Sequence, residues 1–472
     1  MYDKVCFVSV VAYLLLQICA KPRQHPPEQG TGAARAFFYA AFWGFYAKFR
    51  AMEHTARQPD PTRHTAYQCL RAVFTQQTTL EQAFEVNART LAGRDRAFAY
   101  TLAITATRYA LALDALTAKL MQKPFPDGSA AQQLLRIGAC QLLLLDGVKD
   151  HAAISSTVDM AKAYNLGKIS GVINGVLRNI QRKFTKQDIR TLDAIPRWLK
   201  TRLEKTYPNP AALAEAMLSQ ALADLRLRKG DAPEGATPLK GLPDGWQLPE
   251  GMLPQSLEAR LARNDIYIQD GGAQWPAHIL INHLREEGPL LDLCAAPGGK
   301  TLQLADHADR FTLAADRSES RTRTMTSNLA GTQNVGTCIM DGRTPPLHEN
   351  TFAGILLDAP CTATGTTRRH PEVMHLRLEK DIQALTFLQP EMLKKAAPLL
   401  KKGGVLMYAV CSLLVEEGED QNKWITDNLP LKPLKITGLP AKFARNQPTE
   451  NALRLTPLDG TDGFYMALYQ KA

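Results

Sequence analysis

The chain has 472 residues, 45% of them hydrophobic and 22% charged, a composition that excludes a disordered or collagen-like polymer and allows two or three folded domains. Its 56 Lys and Arg against 46 Asp and Glu leave a formal charge of +10, which admits a polyanionic partner without requiring one. The eight cysteines are scattered, with no C-x-x-C pair and no Cys/His cluster, which argues against a structural metal and suits a reducing compartment.

The first 51 residues stand apart from the rest. Lys4 followed by VCFVSVVAYLLLQICA (5–20) resembles a signal peptide, and AFFYAAFWGFYAKF (36–49) is aromatic with no polar face. We read residues 1–51 as an upstream extension and Met52 as the working start. A cytoplasmic protein is expected, with membrane contact only if that extension is retained.

From about 61 to 222 the pattern is helical almost throughout, with an all-α domain at 52–190 running on into a helical linker. TAYQCLRAVFTQ, LEQAFEVNARTL, RDRAFAYTLAITATRYALALDALTAKLM and AAQQLLRIGACQLLLL carry apolar residues at i, i+3, i+4 and i+7. DHAAISSTVDMAKAY opens with Asp150 as an expected N-cap. GVINGVLRNIQRK (171–183) places Arg178, Arg182 and Lys183 on one helix face, which serves either as a solvated basic face or as an RNA contact.

Residues 191–264 form a connecting region. Its Pro/Gly-rich stretch 229–254 has no usable periodicity and reads as a boundary or a small irregular subdomain. From 265 to 472 short apolar strands alternate with helices: PLLDLC, FTLAAD, VGTCIMD, FAGILLD and GGVLMYAVCS. That alternation predicts a doubly wound, mostly parallel α/β sheet, whose ligands bind at the carboxyl ends of the strands. Asp292, Asp316, Asp341 and Asp358 all fall at or near those ends.

CAAPGGKT (294–301) is a strand-to-helix turn that fails both phosphate patterns, because Cys294 stands where GxxxxGK requires glycine and G-x-G-x-x-G is absent. A nucleoside ligand without phosphates fits better, with Asp316 accepting from a ribose diol and Asp341 from an adenine amine. S-adenosylmethionine is the expected cofactor. Cys361, in DAPCTATGTTRRHPEV (358–373), and Cys411 project from the same edge, while Cys69, Cys140, Cys294 and Cys338 read as buried small hydrophobes. Arg368, Arg369 and His370 could favour a thiolate at Cys361 or grip a phosphate backbone. Methyl transfer to C5 of a pyrimidine needs a thiolate at C6, a carboxylate near N3 and a base for the C5 proton. Asp358 and the two thiols suit that chemistry, and spacing does not order the two cysteines.

LLDLCAAPGGKT, Asp316, DGR at 341–343, DAPCTATG with RRHPEV, YAVCS and DGTDGFYMALYQK resemble the RNA cytosine-5 methyltransferases of the RsmB/NOP family. HAAISSTVDMAKAY and VINGVLRN resemble a NusB-like domain. The resemblance implies an all-α NusB-like domain followed by a Rossmann-like class I methyltransferase domain acting on small-subunit 16S ribosomal RNA. It implies that the cofactor lies on Cys294, Ala295, Ala296, Pro297, Gly298, Gly299 and Lys300, with contacts from Asp316, Asp341 and Asp358. It further implies that Cys411 attacks and Cys361 assists release, with no metal and no stable protein partner.

The chain departs from the family at Thr362 (Ser in relatives), Val410 (Thr), Gly418 within Glu417-Gly418-Glu419 (Asn), and Met374-His375. The connector also looks abbreviated. Transfer RNA is the alternative substrate. A non-catalytic assembly factor would leave both cysteines unexplained, and a dithiol redox protein would leave the strand-end acids without purpose.

Overall fold

A computed structural model describes residues 59–252 and 257–472. The signal-like stretch 5–20 and the aromatic segment 36–49 lie outside the described residues. Among those described, no helix is long and apolar enough to cross a membrane.

Seven helices build the first layer: α1 (Pro61–Gln76), α2 (Leu80–Asn87), α3 (Gly93–Arg108), α4 (Ala110–Ala118), α5 (Ala130–Leu143), α6 (Asp150–Ala163) and α7 (Ser170–Lys183). Asp60 caps α1 by accepting from the Arg63 amide at 3.0 Å, and Pro61 at the first turn loses no needed donor. Leu70, Leu102, Leu113, Leu134 and Leu177 fill a common core, as the helical spacing predicted. Two local expectations differ. The long run through Tyr109 is two helices, because Tyr109 leaves the helical region (φ −103°, ψ 12°), and Asp150 is the first helical residue behind a Lys149 N-cap.

Two further helices, α8 (Arg197–Thr206) and α9 (Pro210–Leu218), lead into a feature the sequence concealed. The aperiodic connector holds most of a four-stranded antiparallel sheet, β2–β3–β1–β4, from β1 (Asp224–Leu227), β2 (Thr237–Pro238), β3 (Gly245–Gln247) and β4 (Ile266–Ile268). Strands of two to four residues are too short to show a period. Their order comes from pairing and from a small core of Leu225, Leu248 and Ile266, beside a short helix α10 (Glu258–Ala262).

The C-terminal sheet contains β5 (Leu290–Leu293), β6 (Thr312–Asp316), β7 (Val335–Ile339), β8 (Phe352–Asp358), β9 (Leu400–Val410), β10 (Leu431–Pro433), β11 (Ala452–Leu455) and β12 (Phe464–Lys471). Its order is β10–β12–β9–β8–β5–β6–β7, with β11 also paired to β12. The five strands β5 to β9 are mutually parallel, and β12 runs antiparallel beside β9. Continuous apolar runs such as LLDL are buried on both faces, as in other doubly covered parallel sheets. The intervening helices are α11 (Gly271–His283), α12 (Gly299–Ala308), α13 (Glu319–Asn328), α14 (Val373–Leu376), α15 (Glu379–Ala396) and α16 (Glu419–Asn428).

The helical layer packs directly on the loops that follow the two site cysteines. Leu199, Leu203, Leu213 and Met217 share a core with Met374, Ile382, Leu413 and Leu414. The departures at 374 and 375 belong to this junction. His375 packs against Phe74 with tilted rings, centroids 4.7 Å apart, and its Nε2 donates to the Thr107 carbonyl at 2.8 Å. Burial holds the His375 imidazole down at about 4, against the pull of that carbonyl. A lowered histidine binds fewer protons folded than unfolded, so its stabilising effect is complete above about 6.5 and is lost as pH falls toward 4. Between those limits the wild type should lose about 3 kcal/mol more than His375→Leu in urea titrations. Asp292 and Asp462, raised to about 7, act with the opposite sign in both proteins and cancel. Parallel pH curves for the two proteins would contradict the buried neutral imidazole.

Candidate active site

The parallel pairing of β8 with β9 sets Asp358 opposite Ala409, so the chain leaves both strands at one edge. Cys361 and Cys411 follow immediately, and their Sγ atoms lie 3.4 Å apart. Cys361 is 7% exposed, and its thiol is held well above the ordinary range by its hydrogen bond to Cys411 and then by burial. Cys411 is only partly buried. Of the remaining described thiols, Cys69 and Cys140 are buried as the sequence suggested, while Cys294 and Cys338, expected to be buried, are only partly so. Burial pushes Cys69 up to about 12 and raises Cys140, Cys294 and Cys338 as well.

Beside the thiols, Lys300 at the start of α12 donates to Asp358 Oδ2 at 2.7 Å and lies 5.4 Å from the Phe464 ring centroid. Burial works against its ammonium, but Asp358 first, then Cys411 and Asp292, raise its pKa overall. Lys300, which the sequence placed only at the cofactor turn, is thus a cation whose field reaches both Asp358 and Cys411. Of the expected basic triad, Arg369 and His370 face acids and Arg368 is withdrawn from the surface. Arg368 is buried, and its carbonyl accepts from Arg108 at 2.8 Å. Arg369 is held by Asp270 at 2.7 Å, with Asp224 and Asp462 both at 3.5 Å, and His370 faces Glu372 at 3.6 Å. These three residues knit the junction of the two sheets and the helical layer, leaving only His370 exposed. Arg178, Arg182 and Lys183 are exposed on α7, as a basic face requires.

The turn Cys294–Gly299 follows β5 through a left-handed Cys294 (φ 63°), a cis Ala296–Pro297 bond and Gly298 at φ 105°. The Ala295 amide donates to the Ala315 carbonyl at 2.9 Å, which ties the turn to β6. At the end of β6, Asp316 is 2% exposed; its Oδ1 accepts from the Ser318 amide at 2.9 Å. Its Oδ2 has an ion pair with Arg321 at 3.3 Å but no hydrogen bond. Asp341 is gripped by Arg343, whose hydrogen bonds hold it down at about 2. Asp292 is fully buried, and its Oδ2 accepts from the Thr301 hydroxyl at 2.6 Å. Burial pushes it up to about 7 against that hydrogen bond.

Two close approaches shape the loops. The Gly365 amide donates to the Cys411 carbonyl at 3.0 Å, and its carbonyl accepts from Gly463 at 2.8 Å. A Cβ on Gly365 would land on the Gly463 carbonyl oxygen and its backbone neighbours. Gly365→Ala should therefore cost about 2–4 kcal/mol in denaturant titrations, with loss of activity. A wild-type unfolding midpoint would contradict this packing. Gly418 is explained in the same way, since a side chain there would collide with Arg454, which donates to Glu419 and to the Ser412 carbonyl.

Sheet order, glycine-bearing turn and strand-end acids define a Rossmann-like methyltransferase domain carrying a NusB-like helical domain. The family model for 16S rRNA methyltransferase RsmB/F matches residues 279–470, and the NusB family model matches residues 60–182. Ribosomal RNA small subunit methyltransferase B of Salmonella enteritidis is 35% identical over 432 residues, covering 86% of this chain and 97% of the relative. Its counterpart in Salmonella paratyphi A is 34% identical over the same shares. The solved structure described as "Crystal Structure of PH0851" superposes with a TM-score of 0.72 at 20% identity, over 88% of this chain and 100% of that one. The chain belongs to the RsmB/F family and is a ribosomal RNA methyltransferase.

Proposed function

We propose that the chain transfers a methyl group from S-adenosylmethionine to C5 of a cytosine in 16S ribosomal RNA through a Cys411–C6 adduct. The observation carrying this reading is the pair of thiols 3.4 Å apart beside the Lys300–Asp358 ion pair. The cofactor fits the residues present. Asp316 offers a buried Oδ2 with no hydrogen-bond donor, the chemistry a ribose hydroxyl supplies. The turn from Cys294 to Lys300 and the Asp341 carboxylate lie on the same side of the sheet order, after β5 and β7. When bound, the cofactor supplies an electrophilic methyl group. Asp316→Ala should weaken S-adenosylmethionine about 10- to 100-fold in calorimetric titration; unchanged affinity would remove Asp316 from the cofactor site.

The protein's own groups then have distinct tasks. Cys411 sulfur bonds to C6, and the C5–C6 π electrons move to C5, which makes that carbon a donor. Lys300 places positive charge beside the attacking sulfur, and Asp358, fixed by Lys300, hydrogen-bonds on the N3 side of the ring. After methylation the C5 proton must leave; its electron pair re-forms the C5–C6 bond and expels the Cys411 thiolate. The difference between the thiols supports their order. Cys361 is buried while Cys411 is partly exposed, so Cys411 is the thiol a base can reach first. Once Cys411 is bonded to C6, Cys361 lies beside the adduct, where a base for the C5 proton is needed.

Protein-free small-subunit RNA and transfer RNA, incubated with labelled S-adenosylmethionine and the protein, test the substrate. Label is expected in 5-methylcytosine of the small-subunit RNA. Label confined to transfer RNA, or on another base, would overturn this reading.

A further inference from the structure

We infer that Glu417 is the positioning residue that sets the spacing of the two site thiols. Its carboxylate is fully buried in the loop after Cys411 and spans both cysteine loops. On one side the Thr362 amide donates to Oε1 at 2.9 Å and the Thr362 hydroxyl to Oε2 at 2.5 Å. Thr362 directly follows Cys361. On the other side Ser412, directly after Cys411, reaches this carboxylate through the Thr362 hydroxyl, 3.2 Å from the Ser412 hydroxyl. Gln389 of α15 completes the grip, donating to Glu417 at 3.3 Å and to the Pro360 carbonyl at 3.0 Å. The Glu417 carbonyl is fixed in turn by the Tyr408 hydroxyl at 2.7 Å, from inside β9.

A buried carboxylate is costly unless its acceptor sites are filled, and here Thr362 beside Cys361 fills two of them while Glu417 itself lies on the loop after Cys411. Moving one loop against the other would strip those donors from the buried group. The hydroxyls are linked to one another as well, Thr362 to Ser412 at 3.2 Å and Thr364 to Ser412 at 3.3 Å. The carboxylate contacts neither sulfur in this hydrogen-bond network. It acts through Thr362 and Ser412, holding Cys361 within reach of an adduct formed on Cys411. Thr362 in place of the Ser usual in relatives keeps the hydroxyl this role requires.

The consequence for catalysis rests on the two-thiol reaction proposed above, but the spacing itself is measured without RNA. Phenylarsine oxide bridges two neighbouring thiols, forming two As–S bonds and releasing one water, and holds poorly to isolated ones. Full-length wild type should retain one arsenical across the pair in the presence of excess monothiol, and Cys361→Ala gives the background. Glu417→Ala should fall to that background and Glu417→Gln at least tenfold toward it. In turnover assays Glu417→Gln should lower kcat about 10- to 100-fold with little change in RNA KM, and an RNA–protein adduct should accumulate. Thr362→Val should shift in the same direction and Thr362→Ser should restore wild-type behaviour. Wild-type arsenical retention in a folded Glu417→Gln protein, or wild-type kcat, would overturn the inference. If Cys361→Ala traps no adduct while the arsenical results hold, the reaction is wrong and the positioning role stands.

Discussion

Cys411→Ala is expected to abolish methyl transfer, by about 10⁴-fold or more, and to form no covalent complex with RNA at all. The expectation follows from C5 of cytosine being unreactive until a nucleophile occupies C6, so no other group in the site substitutes for the missing sulfur. The Lys300–Asp358 pair, 2.7 Å apart, does not involve the Cys411 sulfur, so S-adenosylmethionine affinity should stay close to that of the wild type. Filter-binding of labelled methyl groups measures the first effect and calorimetry the second. Residual transfer within tenfold of the wild type would remove Cys411 from the chemistry.

Cys361→Ala should behave differently. The attack by Cys411 and the methylation of C5 remain possible, but the group that assists departure is missing. A complex of protein and methylated RNA should therefore accumulate and survive denaturing electrophoresis, while multiple turnover falls by about 10²–10⁴-fold. Single-turnover methylation should fall far less, because the missing group acts after methyl transfer. Equal losses in single and multiple turnover would place Cys361 before that step. An adduct in Cys411→Ala instead would reverse the assignment of the two thiols.

The strand-end logic was legible because it depends on short-range sequence. FAGILLD forms β8 over Phe352–Asp358, and its closing acid sits at the edge where the thiols meet. The helical domain was legible from its period, apart from the interruption at Tyr109. Three features were invisible for a physical reason. Arg368, Arg369 and His370 read as a free basic run, but the acids that engage Arg369 come from Asp224, Asp270 and Asp462, far away in the chain. Glu417 was noticed only as part of a Glu-Gly-Glu run; its grip on Thr362 joins residues 55 positions apart. The connector's sheet was missed because its strands are too short to carry alternation. Long-range pairing decided all three, and one sequence carries no local trace of it.

Mass spectrometry of the complex trapped by Cys361→Ala tests the account most directly. After protease and nuclease digestion, the peptide containing YAVCS should carry one methylated cytidine nucleotide on Cys411. A nucleotide on any other residue, or no cross-linked peptide from a variant that still binds RNA, would contradict it.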